Sequence, residues 1–186
     1  MKRLSVIALA LFALSAQTGT GWVTLFDGKH LNNFNQVGNA NWALVDGVVQ
    51  ASSGAGHLVS KESYTDFEIK VEFWSSGGGN SGVYMRCMDG AKITDKTCYE
   101  ANIFDKRADQ SGRTGGIPNY AAPIAIVDAD GKWNTYEITV RGPHIVVMLN
   151  GIKTVDAKDS TLKSGPIALQ YMAGDIKFRN VQIRRL

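Results

Sequence analysis

The sequence predicts an all-β fold, an antiparallel two-sheet sandwich, with a closed barrel as the alternative. Three observations carry that expectation. Short segments alternate apolar and polar residues with period two, the mark of a strand with one buried face. Turn dipeptides separate them at short intervals. No helical periodicity follows the first twenty residues, so no crossover helices are available for a parallel sheet.

Each element follows in order. Phe67, Ile69, Val71 and Phe73 interleave with Glu68, Lys70, Glu72 and Trp74. Val83–Arg86, Tyr99–Phe104, Thr135–Arg141, Ile145–Leu149, Ile167–Tyr171 and Ile176–Ile183 read as further strands. Turn signals stand at Asp27-Gly28, Asp46-Gly47, Asp89-Gly90, Asp130-Gly131, Gly142-Pro143, Asn150-Gly151, Gly165-Pro166 and Gly174-Asp175. Asn150-Gly151, set between Ile145–Leu149 and Ile152–Val155, is the strongest hairpin signal, because both residues tolerate the positive φ a tight primed turn demands. Residues 105–129 lack periodicity and are expected to form a functional loop.

The chain has 186 residues, of which 44% are hydrophobic and 20% charged, enough to bury a core as one domain. Its net charge of +3 includes Lys2 and Arg3; without them 18 basic residues face 17 acidic ones. The basic balance therefore does not indicate nucleic acid. Lys2-Arg3, the apolar run Leu4–Leu14 and the small polar residues after it have the layout of a secretory signal peptide over residues 1–16. The run is too short to span a membrane. A single β-sandwich over 17–186 is expected to be soluble, periplasmic or secreted, without membrane attachment once the signal is removed. Export makes Cys87 and Cys98 candidates for a disulfide closing a hairpin, with two separate thiols as the alternative.

Several segments resemble one family in a single order along the chain. Asn80-Ser81-Gly82-Val83-Tyr84-Met85-Arg86 resembles the Asn-Ser-Gly-hydrophobic-Arg segment of the DUF1080 family, also called the 3-keto-disaccharide hydrolase domain. Gly21-Trp22 with Leu25–Gly28, Trp42 with Val45–Val48, and Tyr64–Glu68 are similar to its opening segments. Tyr99–Asp105, Thr114–Ile117, Trp133–Tyr136, Leu149–Gly151, Gly165–Gln170 and Phe178–Val181 are similar to later ones. Asn102 stands where the family often has Gln. The resemblance implies a concanavalin A-like jelly roll, like that of lectins and glucanases, with a carbohydrate on its concave sheet. It also implies hydrolysis of 3-keto-glycosides or disaccharides, or, as the alternative, a non-catalytic sugar-binding module. No cofactor is expected.

Because alternate strand residues share a face, Glu72, Trp74, Tyr84, Arg86, Glu100 and Asn102 are expected to form one outward patch. Aromatic rings suit sugar C–H faces, while carboxylate, amide and guanidinium suit hydroxyls. Asn80, Trp133 and Gln170 join the expected substrate-binding set. Glu100 is the candidate general acid or base, Arg86 the group that would polarise a ketone, and Asp105 or His144 a proton-transfer partner. Elimination across an acidified C–H next to the ketone is an alternative to hydrolysis.

Plainer readings compete with these. Glu100 and Arg86 also fit a cross-strand ion pair, Asp105 a loop cap, and Trp133-Asn134 core packing with a turn amide. His30, His57 and His144 lack metal-ligand spacing, so no metal is expected. Gly77–Asn80 suits a strand-connecting turn better than a phosphate cradle. A regular Cys87–Cys98 register would set Met85 opposite Glu100 and contradict the proposed facing, unless a β-bulge lies between.

Overall fold

The computed structural model describes residues 21–186, so the signal-peptide expectation over 1–16 lies outside the described residues. Thirteen strands are described: β1 (Val23–Phe26), β2 (Phe34–Gly38), β3 (Ala43–Val45), β4 (Val48–Ala51), β5 (Gly56–Tyr64), β6 (Phe67–Ser75) and β7 (Ser81–Met85). They continue with β8 (Tyr99–Ile103), β9 (Trp133–Arg141), β10 (His144–Leu149), β11 (Ile152–Lys158), β12 (Gly165–Tyr171) and β13 (Ile176–Arg185). A short 3₁₀ turn, Gln110–Gly112, interrupts the long loop.

The strands form two antiparallel sheets. One has eight strands in the order β11-β10-β9-β6-β13-β4-β3, with β1 paired to β13; the other has five, β2-β5-β12-β7-β8. The expected sandwich is observed. Alternation fixes its core: Phe67, Ile69, Val71 and Phe73 from the larger sheet meet Val83, Met85, Tyr99, Ala101, Ile103 and Leu169 from the smaller, all buried. At roughly 1.5–3 kcal/mol per fully buried large apolar side chain, this layer supplies the main drive for closing the sheets.

The turn chemistry is as the sequence implies. Asn150 and Gly151 take φ of 53° and 78° in the β10–β11 hairpin, and Asp46 and Gly47 take 50° and 80° between β3 and β4. The first four strands and β5 are not marked by clean alternation. In β5 a buried serine replaces the expected apolar residue. Ser60 Oγ donates to the Glu62 carbonyl and accepts from the Ile167 amide, where the β5–β12 register shifts.

The disulfide and the facing of β7 are reconciled by one residue. Tyr84 pairs with Glu100 and Met85 with Tyr99. Arg86 then takes φ of +50°, an extra residue that lets Cys87, rather than Arg86, meet Cys98. The two cysteines are bonded, with Cα atoms 4.2 Å apart. Closing this loop contributes about 2–3 kcal/mol in the chain-entropy picture.

Candidate functional site

The outward face of the five-stranded sheet carries two adjacent rows of side chains. Pairing sets Ala168 beside Tyr84 and Tyr84 beside Glu100. One step along, His57 pairs with Gln170 and Gly82 with Asn102. Because Leu169 pairs with Val83, the same register brings Gln170 next to Gly82. A cleft of about 280 Å³ opens over these rows, near the lower end of the usual range for small-ligand sites. Asn80 and Met172 form one end, and Ile93, Thr94 and Asp95 from the disulfide-closed loop form a wall. Arg107, from the long loop, completes it.

The floor depends on a missing side chain. A Cβ built on Gly82 would lie 2.3 Å from Glu100 Oε1 and 2.8 Å from its Cγ. Glu100 therefore lies across the strand in the space that glycine leaves. Glu100 is 5% exposed, and burial pushes its pKa up to about 8. The Tyr84 hydroxyl and the charge of Arg107 work against that rise, while Asp95 adds to it. At neutral pH Glu100 is mainly a protonated acid.

Tyr84 is held in turn. Its hydroxyl accepts a hydrogen bond from Gln170 Nε2 at 2.9 Å, and burial raises its pKa far above the usual phenol value. The His57 ring stands edge-on to it, with centroids 5.3 Å apart and planes at 89°. Burial lowers the pKa of His57 to about 4, which keeps the imidazole neutral at physiological pH. Three polar atoms around the cleft, His57 Nε2, Gln170 Oε1 and Arg107 Nε, are buried without a hydrogen-bond partner among the described residues. Buried polar atoms are ordinarily satisfied, so these three call for water or a polar ligand in the cleft.

Of the residues expected from the sequence, Glu100, Tyr84, Asn80, Asn102 and Gln170 line this cleft. Asn102 is committed internally, with Nδ2 donating to the Gly112 carbonyl and Oδ1 accepting from the Ile103 amide. It ties the long loop to β8 rather than presenting a free amide.

The expected single patch is divided. Glu72, Trp74 and Trp133 lie on the outer face of the eight-stranded sheet, where Trp74 pairs with Trp133 across β6 and β9. Glu72 accepts from Arg179 Nε at 2.6 Å and from Asn180 Nδ2 at 2.8 Å. Arg179 stacks over Trp133 at 3.9 Å and Lys177 over Trp74 at 4.7 Å. These side chains do point outward from their strands, but away from the opposite layer.

Arg86 is also displaced, because its positive φ turns it out of the row. Its Nε donates to the Thr65 carbonyl at 2.8 Å and its Nη1 to the carbonyls of Gly142 and Leu162. Its Nη2 pairs with Asp66 Oδ1 at 3.0 Å. The guanidinium, 2% exposed, joins three connecting segments at one end of the sandwich and does not meet Glu100. Asp105 is a loop anchor. Its Oδ2 accepts from the amides of Ala129 and Asp130, and its Oδ1 lies 3.6 Å from Arg113 Nη2. His144 is bound to Asp156 on the larger sheet, also outside the cleft.

His57 and Arg107 were not marked by the sequence as partners of Glu100. The only available signal for His57 was its place two residues before Val59, on the same strand face. Arg107 sits in an aperiodic stretch, where no face can be assigned.

The sandwich and its cleft define a jelly-roll protein of the concanavalin A-like class. The chain belongs to the 3-keto-alpha-glucoside-1,2-lyase-like domain family, whose model matches residues 21–184. It is 31% identical over 77 residues to a 3-keto-disaccharide hydrolase from Bacteroides thetaiotaomicron, a match taking in 34% of this chain and 27% of that protein. The chain thus spans about a quarter of the curated relative it matches. A proposed glycosyl hydrolase from Parabacteroides distasonis superposes with a TM-score of 0.73 at 28% identity, covering 89% of this chain and 100% of that one. The Bacillus subtilis carbohydrate-binding module CBM66 superposes at 0.63 and 22% identity, covering 89% and 96%, and shows the shared fold alone.

Proposed function

We propose that the chain cleaves the glycosidic bond of a 3-keto-glucoside in the cleft over Gly82, with Glu100 and His57 moving the protons. The carrying observation is the juxtaposition of a buried protonated carboxyl and a neutral, unpartnered imidazole beside the same small cavity. The family name and the relative's name support the substrate class.

The elimination uses only the two side chains, whose protonation states are then reset by exchange with solvent, and hydrolysis consumes one water in addition. A ketone at C3 acidifies the proton on C2. His57 takes that proton, and the electron pair moves toward the ketone oxygen. As the carbonyl re-forms, the pair becomes the C1–C2 double bond, the C1–oxygen bond breaks, and Glu100 gives its proton to the departing oxygen. Release at this stage is elimination. Addition of water across C1 and C2 makes the net reaction hydrolysis and returns the proton to C2. A neutral base and a protonated acid are the forms that environment assigns to the two groups at pH 7.

Glu100→Gln separates this reading from a binding module. With wild-type protein, methyl and p-nitrophenyl 3-keto-α-glucosides are both turned over. The variant loses turnover of the methyl compound, whose leaving group needs the proton, far more than that of the p-nitrophenyl compound, while binding persists. Absence of turnover by the wild type would leave sugar binding as the function.

Export belongs to the same proposal. The leader-like residues 1–16 and the Cys87–Cys98 bond both suit an oxidising compartment. Fractionation with N-terminal sequencing of the recovered protein tests it; recovery of the uncleaved chain in the cytosol would refute it.

A further inference from the structure

We propose that Arg107 is the electrophilic catalyst that receives the ketone oxygen, and so the residue that restricts the cleft to 3-keto sugars. The inference rests on the cleavage reading above and assigns to Arg107 the role that the sequence suggested for Arg86.

The fold commits other arginines elsewhere. Arg86 is consumed by carbonyls and Asp66, and Arg113 by Asp105 and Asp128. Arg179 and Arg184 are paired with Glu72 and Glu68 on the larger sheet. Arg107 takes part in no ion pair among the described residues, yet it lines the cleft with Glu100, His57 and Gln170. Its Nε is buried with no acceptor. A guanidinium offers five donors in a planar fork and keeps its charge at any working pH.

Its position is built rather than incidental. A Cβ placed on Gly112 would come within 2.7 Å of Arg107 Nε and 3.2 Å of its Cζ. The guanidinium end therefore packs closely against a residue without a side chain. Gly112 is not at a positive φ that would itself demand glycine, so the packing against Arg107 is what a side chain would disturb. Asn102 Nδ2 holds the Gly112 carbonyl, and the Arg107 amide donates to the Phe104 carbonyl. The base of the arginine is thus fastened to the end of β8, the strand that carries Glu100.

The chemistry requires such a group. When the C2 proton leaves, the negative charge is shared between C2 and the oxygen at C3, with most of it on the oxygen. Glu100 is engaged at the leaving oxygen and His57 at C2. A preorganised cation at the developing oxyanion contributes in the transition state much more than in the ground state. An unoxidised sugar develops no charge there and gains nothing from it.

Arg107→Ala, Arg107→Lys and Gly112→Ala are compared with wild type on p-nitrophenyl 3-keto-α-glucoside, with thermal melting to verify folding. The expected result for Arg107→Ala is a fall in kcat of about 10²–10³-fold, with KM changed much less. A substrate deuterated at C2 shows a larger isotope effect on kcat/KM in the variant, because proton abstraction is the step weakened. Arg107→Lys retains charge without the fork and falls between, and Gly112→Ala lowers kcat by displacing an intact arginine. Affinity for unoxidised p-nitrophenyl α-glucoside stays within about two-fold throughout. If the folded Arg107→Ala and Arg107→Lys proteins keep wild-type kcat and isotope effect, the role of Arg107 is wrong while the cleavage reading stands. If the wild type does not turn over the 3-keto compound, both are wrong.

Discussion

Glu100 occupies the space where a side chain on Gly82 would be, since a Cβ there would sit 2.3 Å from Glu100 Oε1. The acid is thus positioned by an absence on the neighbouring strand. Gly82→Ala is expected to preserve the fold, because Gly82 is on a regular strand, but to push the carboxyl out of the cleft floor. A displacement near an ångström lowers kcat by about 10²-fold. Steady-state kinetics together with an unchanged far-ultraviolet circular dichroism spectrum would check it.

The pH–rate profile follows from the two environments. Activity requires neutral His57, with its pKa lowered to about 4, and protonated Glu100, with its pKa raised to about 8. The profile of kcat/KM should be a broad bell with limbs near those two values. His57→Ala removes most activity along with the acid limb. A profile with both limbs unchanged in that variant would remove His57 from the mechanism.

Stability should also respond to pH, and the two groups pull in opposite directions. Glu100 holds its proton more tightly when folded, so its contribution is full below about 4.5 and is lost as pH rises through about 8. His57 binds its proton less tightly when folded. Its contribution is present above about 6.5 and is lost as pH falls through about 4. Between roughly 4.5 and 6.5 the effects offset. From 6.5 to 8 Glu100 acts alone, so Tm should fall there in wild type and fall less in Glu100→Gln.

The Cys87–Cys98 bond supports a wall of the cleft as well as the fold. Replacing both cysteines by serine should cost about 2–3 kcal/mol in urea denaturation. It should also raise KM, because Ile93, Thr94 and Asp95 in the closed loop line the site. Asn119 still tethers Asp95 through its side-chain amide, so binding weakens without disappearing.

Asp105 is predicted to be structural. Asp105→Ala leaves the Ala129 and Asp130 amides without their acceptor and Arg113 with only Asp128. Thermal or urea unfolding should show a loss of about 1–3 kcal/mol. At a temperature where the variant remains folded, kcat should stay within a few-fold of wild type.

How far the site was legible depends on which physical rule governs each residue. Tyr84, Glu100 and Asn102 could be given a common outward side because a strand's side chains alternate, whereas Gln170 entered only as a member of the expected substrate-binding set. The Cys87–Cys98 pair could be anticipated, and so could the need for a bulge to reconcile it with that facing. Arg86 could not be placed, since a positive φ at a non-glycine residue leaves no local signature and turns the side chain out of the row. Arg107 and Asp105 belong to a stretch whose backbone is fixed by distant partners.

By itself the sequence determined the fold class, the main turns, the family resemblance and, in the cleanly alternating strands, which residues avoid the core, because these follow from local periodicity and backbone preference. Only the tertiary structure decided which sheet each strand joins. In a two-layer sandwich, outward has two opposite directions. Glu72 and Glu100 both point away from the core, and long-range strand pairing alone sets Glu72 on the eight-stranded sheet and Glu100 over the cleft of the five-stranded one.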